Sequence, residues 1–270
     1  MPTSGSTSVG SRLLASSPTE HRFTAPDGIE LVWHELRPTS GGGRPLVLLH
    51  GLFSDAHTNW IRFGHAAAIA ARGFRVIMPD LRAHGASGKP HDAAFYPADV
   101  LATDGLALLR HLALTDYDLG GYSLGARTVV RMVVKGAAPA RMVLSGMGLR
   151  GITDTGPRTE HFRQILQNLG HHPRGSPEWM AEAFLKTTGG DPAALLPLLS
   201  SFVDTTDAEL DALRQPALVL MGAEDDDHGP GTTLAERLPH ARYQEVPGNH
   251  MSVVTRPEFG RAIADYLGEG

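Results

Sequence analysis

Cysteine is absent from the 270 residues. That removes disulfides, thiolate metal ligands and a cysteine nucleophile, although the absence alone does not assign a compartment. Also missing is any run approaching the roughly 18 apolar residues that a membrane helix needs. Arg12-Leu13-Leu14-Ala15 is too short for the apolar part of a secretory signal. The chain has no long basic block, and its formal net charge is −5. Nucleic acid and anionic membrane are therefore poor partners, and neither is expected. With 41% hydrophobic and 20% charged residues the chain is not a mainly disordered one, and it is long enough for one core or a core with an insert. Residues 1–20, rich in Ser, Gly and Thr, read as a flexible tail, and the protein as cytoplasmic.

From Arg22 to Pro38, two extended segments flank the turn signal Pro26-Asp27-Gly28, and the second alternates partly, as an edge strand would. Continuous apolar runs at 45–49, 74–78, 141–145 and 217–221 read as strands buried on both faces. Helical spacing near 60–72, 97–112 and 126–135 alternates with them. This order predicts an α/β fold, a mostly parallel sheet with crossover helices on both faces. After Gly148 the rhythm breaks. Residues 149–204 hold three helical segments (160–169, 178–186 and 193–202) and no convincing strand, as an inserted helical cap would. The core is then 21–148 and 205–270. Thr206 with Glu209 fits a capping box, and the last helix spans about 257–267.

The chemistry centres on Gly121-Tyr122-Ser123-Leu124-Gly125. A serine between two glycines, where a strand gives way to a helix, reads as a nucleophile elbow, a turn that holds its central residue in a strained conformation. His50-Gly51-Leu52, Asp225 and His250 also fall at the ends of expected parallel strands, where ligand sites of open α/β sheets lie. Either neighbour of Asp225, Asp226 or Asp227, is an alternative acid.

With Gly121 to Gly125, His50-Gly51-Leu52-Phe53, Asp80 to Gly85, Gly222 to Asp225 and Gly248-Asn249-His250 in this order, the chain resembles the α/β-hydrolase family. The likeness is to its serine esterases with an inserted cap, and it covers roughly Arg22 to the C-terminus. It departs from the family at Ala83 and Ala126, where glycine is usual or frequent, and at Asp118 and Gly120, which make the strand before the elbow less apolar. The resemblance implies Ser123 as nucleophile, His250 as base and Asp225 as orienting acid, the family's Gly-x-x-Asp spacing from Gly222 favouring Asp225. It also implies an oxyanion hole from the Leu52 and Leu124 amides, with His50 supporting the loop and Asp80, Arg82 and His84 bracing it. Phe53, Met147 and Met251 are candidate substrate-binding residues. No cofactor is expected. No metal is expected either, since His161, His171 and His172 lack a spaced carboxylate or cysteine partner. The expected activity is hydrolysis of small to medium hydrophobic carboxylic esters through an acyl-enzyme. Lactonase, thioesterase and C–C bond hydrolase share the triad, and a slow-turnover ligand receptor on the same fold is the alternative from another class. No cationic cluster stands out in the expected cap.

Overall fold

In the computed structural model, which describes residues 17–269, the chain starts with β1 (Thr19–Thr24) and β2 (Glu30–Leu36), an antiparallel pair. Their turn is closed by the Gly28 N–H donating to the Ala25 carbonyl. β3 (Arg44–Leu49), α1 (His65–Ala70), β4 (Phe74–Pro79), α2 (Val100–His111), β5 (Asp118–Tyr122), α3 (Leu124–Val134) and β6 (Met142–Ser145) follow. Between β6 and the next strand lie α4 (Arg150–Thr153), α5 (Gly156–Gln167), α6 (Pro177–Thr187), α7 (Pro192–Leu199) and α8 (Asp207–Ala212). β7 (Ala217–Gly222), α9 (Gly231–Arg237), β8 (Ala241–Val246) and α10 (Pro257–Gly268) complete the chain.

Among the described residues eight strands form one sheet, ordered β1-β2-β4-β3-β5-β6-β7-β8, parallel from β4 to β8. Side chains of a strand alternate between faces, and β3 shows why its run is apolar without interruption. Leu46 and Leu48 enter the layer beneath α1 and α10, with Trp60, Ile69, Phe259 and Ile263. Val47 and Leu49 enter the layer beneath α2 and α3, with Leu108, Val129 and Met132. No helix among the described residues is long and apolar enough to cross a membrane.

Several local expectations need correction. β2 is not the edge strand: β1 pairs with it over six residues and takes the exposed edge. Thr19 and Glu20 therefore belong to the sheet rather than to a tail, whose residues 1–16 lie outside those described. The helix expected at 60–72 is divided. A π-helical turn at His57–Ile61 stops before Gly64, whose φ of 80° is a left-handed conformation, and α1 starts anew. α5 begins at Gly156-Pro157 rather than at 160, since proline favours a first helical turn, and α4 precedes it. Ser176 and Asp191 cap α6 and α7, and the expected Thr206–Glu209 box is present. Asp118, the oddly polar residue of β5, is fully buried and held by Arg44 at 2.8 Å and Arg141 at 3.0 Å. At Gly120 the Leu48 and Val143 side chains fill the space a Cβ would take.

α3 lies unusually close to the sheet at its start. A Cβ on Gly125 would sit 2.1 Å from the Leu49 carbonyl oxygen, and one on Gly121 2.3 Å from the Gly125 carbonyl carbon. Both neighbours are backbone, which cannot swing aside as a side chain can. Gly125→Ala should therefore lose about 3 kcal/mol or more of stability in urea denaturation, as severe overpacking does. Gly156→Ala, where a Cβ meets only Asp154 at 3.9 Å, should be neutral or stabilising by up to about 1 kcal/mol. Equal losses at the two positions would contradict this account of the elbow.

Candidate active site

Ser123 joins β5 to α3 with φ 53° and ψ −114°, a conformation costly for a residue with a Cβ. It persists because both sides are tied: the Ser123 N–H donates to the Ser145 carbonyl at 2.8 Å, and the helix continues from Leu124. The turn leaves Oγ facing His250, whose Nε2 lies 3.0 Å away. On the far side of the ring, Nδ1 is 2.9 Å from Asp225 Oδ2. With Nδ1 donating to the carboxylate, Nε2 is left as an acceptor for the serine proton.

The loops that carry these groups are fixed locally. After β8, the Asn249 side chain accepts from the Met251 and Ser252 amides, and the Asn249 N–H donates to Ser252 Oγ, forming a tight turn that presents His250. Tyr122 lies tilted beside the His250 ring and donates its hydroxyl to the His250 carbonyl. After β7, Asp225 Oδ1 accepts from the Asp227 amide. The three adjacent acids separate by contact. Asp225 reaches the imidazole, Asp227 pairs with Arg158 at 2.5 Å, and Asp226 lines the open cleft.

The loop after β3 runs alongside. A Cβ on Gly51 would touch Tyr122 and Ser123 Cβ, at 3.4 and 3.5 Å. Two buried histidines hold the loop. The His50 Nδ1–H donates to the Gly51 carbonyl while Nε2 accepts from the Leu81 amide; the His84 Nδ1–H donates to the Arg82 carbonyl while Nε2 accepts from the Phe53 amide. Asp80 accepts from the Ala56 and Ala86 amides. Arg82 is buried in bidentate contact with Asp104 and paired with Asp27. Neither the Leu52 nor the Leu124 amide donates to a protein acceptor among the described residues. Ala83 adopts φ 69°, which accounts for the glycine expected there.

Burial sets the charge states of this scaffold. It lowers the pKa of His50, and that of His84 to about 3, so both imidazoles are neutral at pH 7. Burial opposes ionisation of Asp80 too, but hydrogen bonds from His34 and the Ala86 and Ala56 amides outweigh it and leave its pKa lowered to about 2.

Two hollows meet at Ser123. The outer, an open cleft with an empty volume of about 1400 Å³, is walled by Phe53, Phe162, Met180, Phe184, His250 and Met251. The inner, far smaller, is bounded by Leu124, Arg127, Met147, Arg158, Phe202 and His228. Ser123 and Leu52 line both. Phe53 and Met251 thus border the outer hollow and Met147 the inner. Arg127, Arg158 and His228 went unnoticed in the sequence; the one available signal was the position of Arg127 on the first turn of the helix that follows Ser123. Thr188, which ends α6 and donates to the Phe53 carbonyl at 2.7 Å, was also missed.

The model of the alpha/beta hydrolase family matches residues 46–260. The chain belongs to that family. It is 34% identical over 215 residues to the dihydrolipoyllysine-residue acetyltransferase component of an acetoin cleaving system from Pseudomonas putida, covering 72% of this chain and 55% of that one. The chain spans about half the length of the first curated relatives it matches. Among solved structures, a hydrolase from Pseudomonas aeruginosa PA01 aligns with a TM-score of 0.72 at 23% identity, over 92% of this chain and 98% of that one. A thermophilic esterase from Thermogutta terrifontis aligns with a TM-score of 0.71 at 24% identity, over 93% and 98%. At these identities the two structures establish the shared fold.

The buried histidines make stability depend on pH. An imidazole in the unfolded chain takes a proton near pH 6.5, whereas folded His84 does so only near pH 3. Between these values the unfolded state holds the extra proton, so stability falls as pH falls, by about 1.4 kcal/mol per unit. Urea denaturation from pH 6 to 4.5 should give a slope for His84→Gln shallower by about that amount, whatever its loss at pH 7. Parallel slopes would mean that His84 is already charged in the fold.

Proposed function

We propose that the protein is a serine hydrolase that cleaves carboxylic esters of small molecules through an acyl-enzyme. The observation that carries this reading is the continuous contact Ser123 Oγ–His250 Nε2–His250 Nδ1–Asp225 Oδ2, at 3.0 and 2.9 Å, at the floor of an open cleft. A neutral hydroxyl is a weak nucleophile, and a base within hydrogen-bond reach is what activates it. His250 takes the Ser123 proton as Oγ attacks the ester carbonyl, and Asp225 stabilises the imidazolium that forms. The carbonyl oxygen becomes an oxyanion between the Leu52 and Leu124 amides. The carbon–oxygen bond to the alcohol breaks, and His250 returns its proton to the departing oxygen. Water, deprotonated by His250, then attacks the acyl carbon, and Ser123 leaves with the proton.

α4 to α7 act in this reading as a cap. Phe162 of α5 and Met180 and Phe184 of α6 form its apolar wall over the cleft, and Thr188 ties α6 to the Phe53 loop. Phe53 meets Phe162 edge to face, with ring centroids 5.3 Å apart. Such a wall favours an ester with some apolar surface.

A p-nitrophenyl ester series with the purified protein tests the proposal. Sustained turnover should fall by about 10⁴-fold or more in Ser123→Ala, the order lost when a triad member is removed. Asp225→Asn should cost on the order of 10³ to 10⁴ in kcat, and Asp226→Asn or Asp227→Asn less than about tenfold. Undiminished turnover in Ser123→Ala would refute the nucleophile; a larger loss at Asp227 than at Asp225 would move the third member.

A further inference from the structure

Arg127 is 93% buried, since 7% of it is exposed, and it lines the inner hollow beside Ser123. Its guanidinium stacks over the Phe202 ring at 4.1 Å, yet it makes no hydrogen bond or ion pair with any described residue. Asp204 and Asp99 attract it, but neither makes a hydrogen bond to it. Asp99 is bidentate to Arg131, and Asp204 accepts from the Thr155 amide. Burial lowers the pKa of Arg127 to about 10, which leaves it charged at pH 7. A buried charge without a partner is destabilising, and chains normally avoid it. Two more polar atoms in the same wall lack a partner among the described residues: Arg158 Nε and His228 Nε2.

From these observations we infer that the inner hollow is a carboxylate subsite, and that the substrate's acyl group carries a carboxylate that pairs with Arg127. The planar guanidinium fork matches a carboxylate in two parallel hydrogen bonds, and its contact with Phe202 leaves those donors free of the ring. Ser123 and Arg127 line the same small hollow, so the carboxylate stands a few carbons from the scissile carbonyl. The division into acyl and alcohol sides follows from His250. It borders the outer cleft and not the inner hollow, and the departing alcohol must take its proton from that imidazole. The alcohol therefore lies in the outer cleft and the acyl chain points to Arg127. Half-esters of short dicarboxylic acids, such as succinate or glutarate, are the substrate class. Water and the half-ester give the diacid and the alcohol.

This inference rests on the serine-hydrolase reading, and two measurements keep them apart. In calorimetry, Ser123→Ala should bind monomethyl glutarate at least tenfold more tightly than methyl pentanoate, a preference absent from Ser123→Ala/Arg127→Met. In turnover, the kcat/KM ratio of mono-p-nitrophenyl glutarate to p-nitrophenyl pentanoate should exceed ten, and should fall at least tenfold in Arg127→Met. Arg127→Lys, which keeps the charge but not the fork, should lie between and serves if the methionine variant does not fold. Preferential binding without hydrolysis would remove the esterase reading and leave the subsite standing. Hydrolysis of both esters with no anionic preference, or a ratio unchanged in Arg127→Met, would overturn the subsite and reduce Arg127 to a packing residue.

Discussion

The close approach of α3 to β3 and β5 is the constraint on which the rest of the site depends. Gly121 and Gly125 leave no side chain between helix and sheet, so α3 starts within a single residue of the strand's end. That residue is Ser123, and its positive φ is the geometric consequence. A strained backbone survives only where its surroundings over-determine it. Here the surroundings are the β6 hydrogen bond at Ser145 and the two apolar layers that cover the sheet. The same turn brings the Ser123 hydroxyl to His250 and leaves the Leu124 amide without an acceptor among the described residues, so in the proposed reaction one local event places both nucleophile and oxyanion donor.

A second group of interactions holds the opposite wall. The Leu52 loop has no regular structure to satisfy its backbone, and buried side chains supply the partners instead. His50, His84, Asp80 and Asn59 each bond to loop amides or carbonyls. Buried polar groups are tolerable when every member is paired, and here they are. The Arg127 guanidinium differs: it has no hydrogen-bonding partner among the described residues and lines the hollow beside the serine.

Much of this was legible in the sequence because it depended on local pattern. Apolar runs marked the parallel strands, and the order Ser123, Asp225, His250 at strand ends marked the site. The choice among Asp225, Asp226 and Asp227 was less so, because three adjacent acids differ only in where the loop aims them. The break at Gly64 escaped because the apolar spacing continues across it. Arg127 and Arg158 escaped for a different reason. They lie 31 positions apart, one on α3 and one on α5, and only the packing of the β6–β7 insert over the sheet brings them into one wall. Pocket electrostatics is a tertiary property, and helix packing decides it.

In the proposed reaction Ser123 becomes covalently acylated during turnover. With a p-nitrophenyl ester the leaving group is so good that acylation outruns deacylation, and the intermediate accumulates. Acid-quenched samples taken in the first turnovers should show, by mass spectrometry, one acyl group on the peptide containing Ser123, decaying as substrate is exhausted. Sustained ester cleavage with no adduct on that peptide, or with the acyl group on another side chain, would contradict the account.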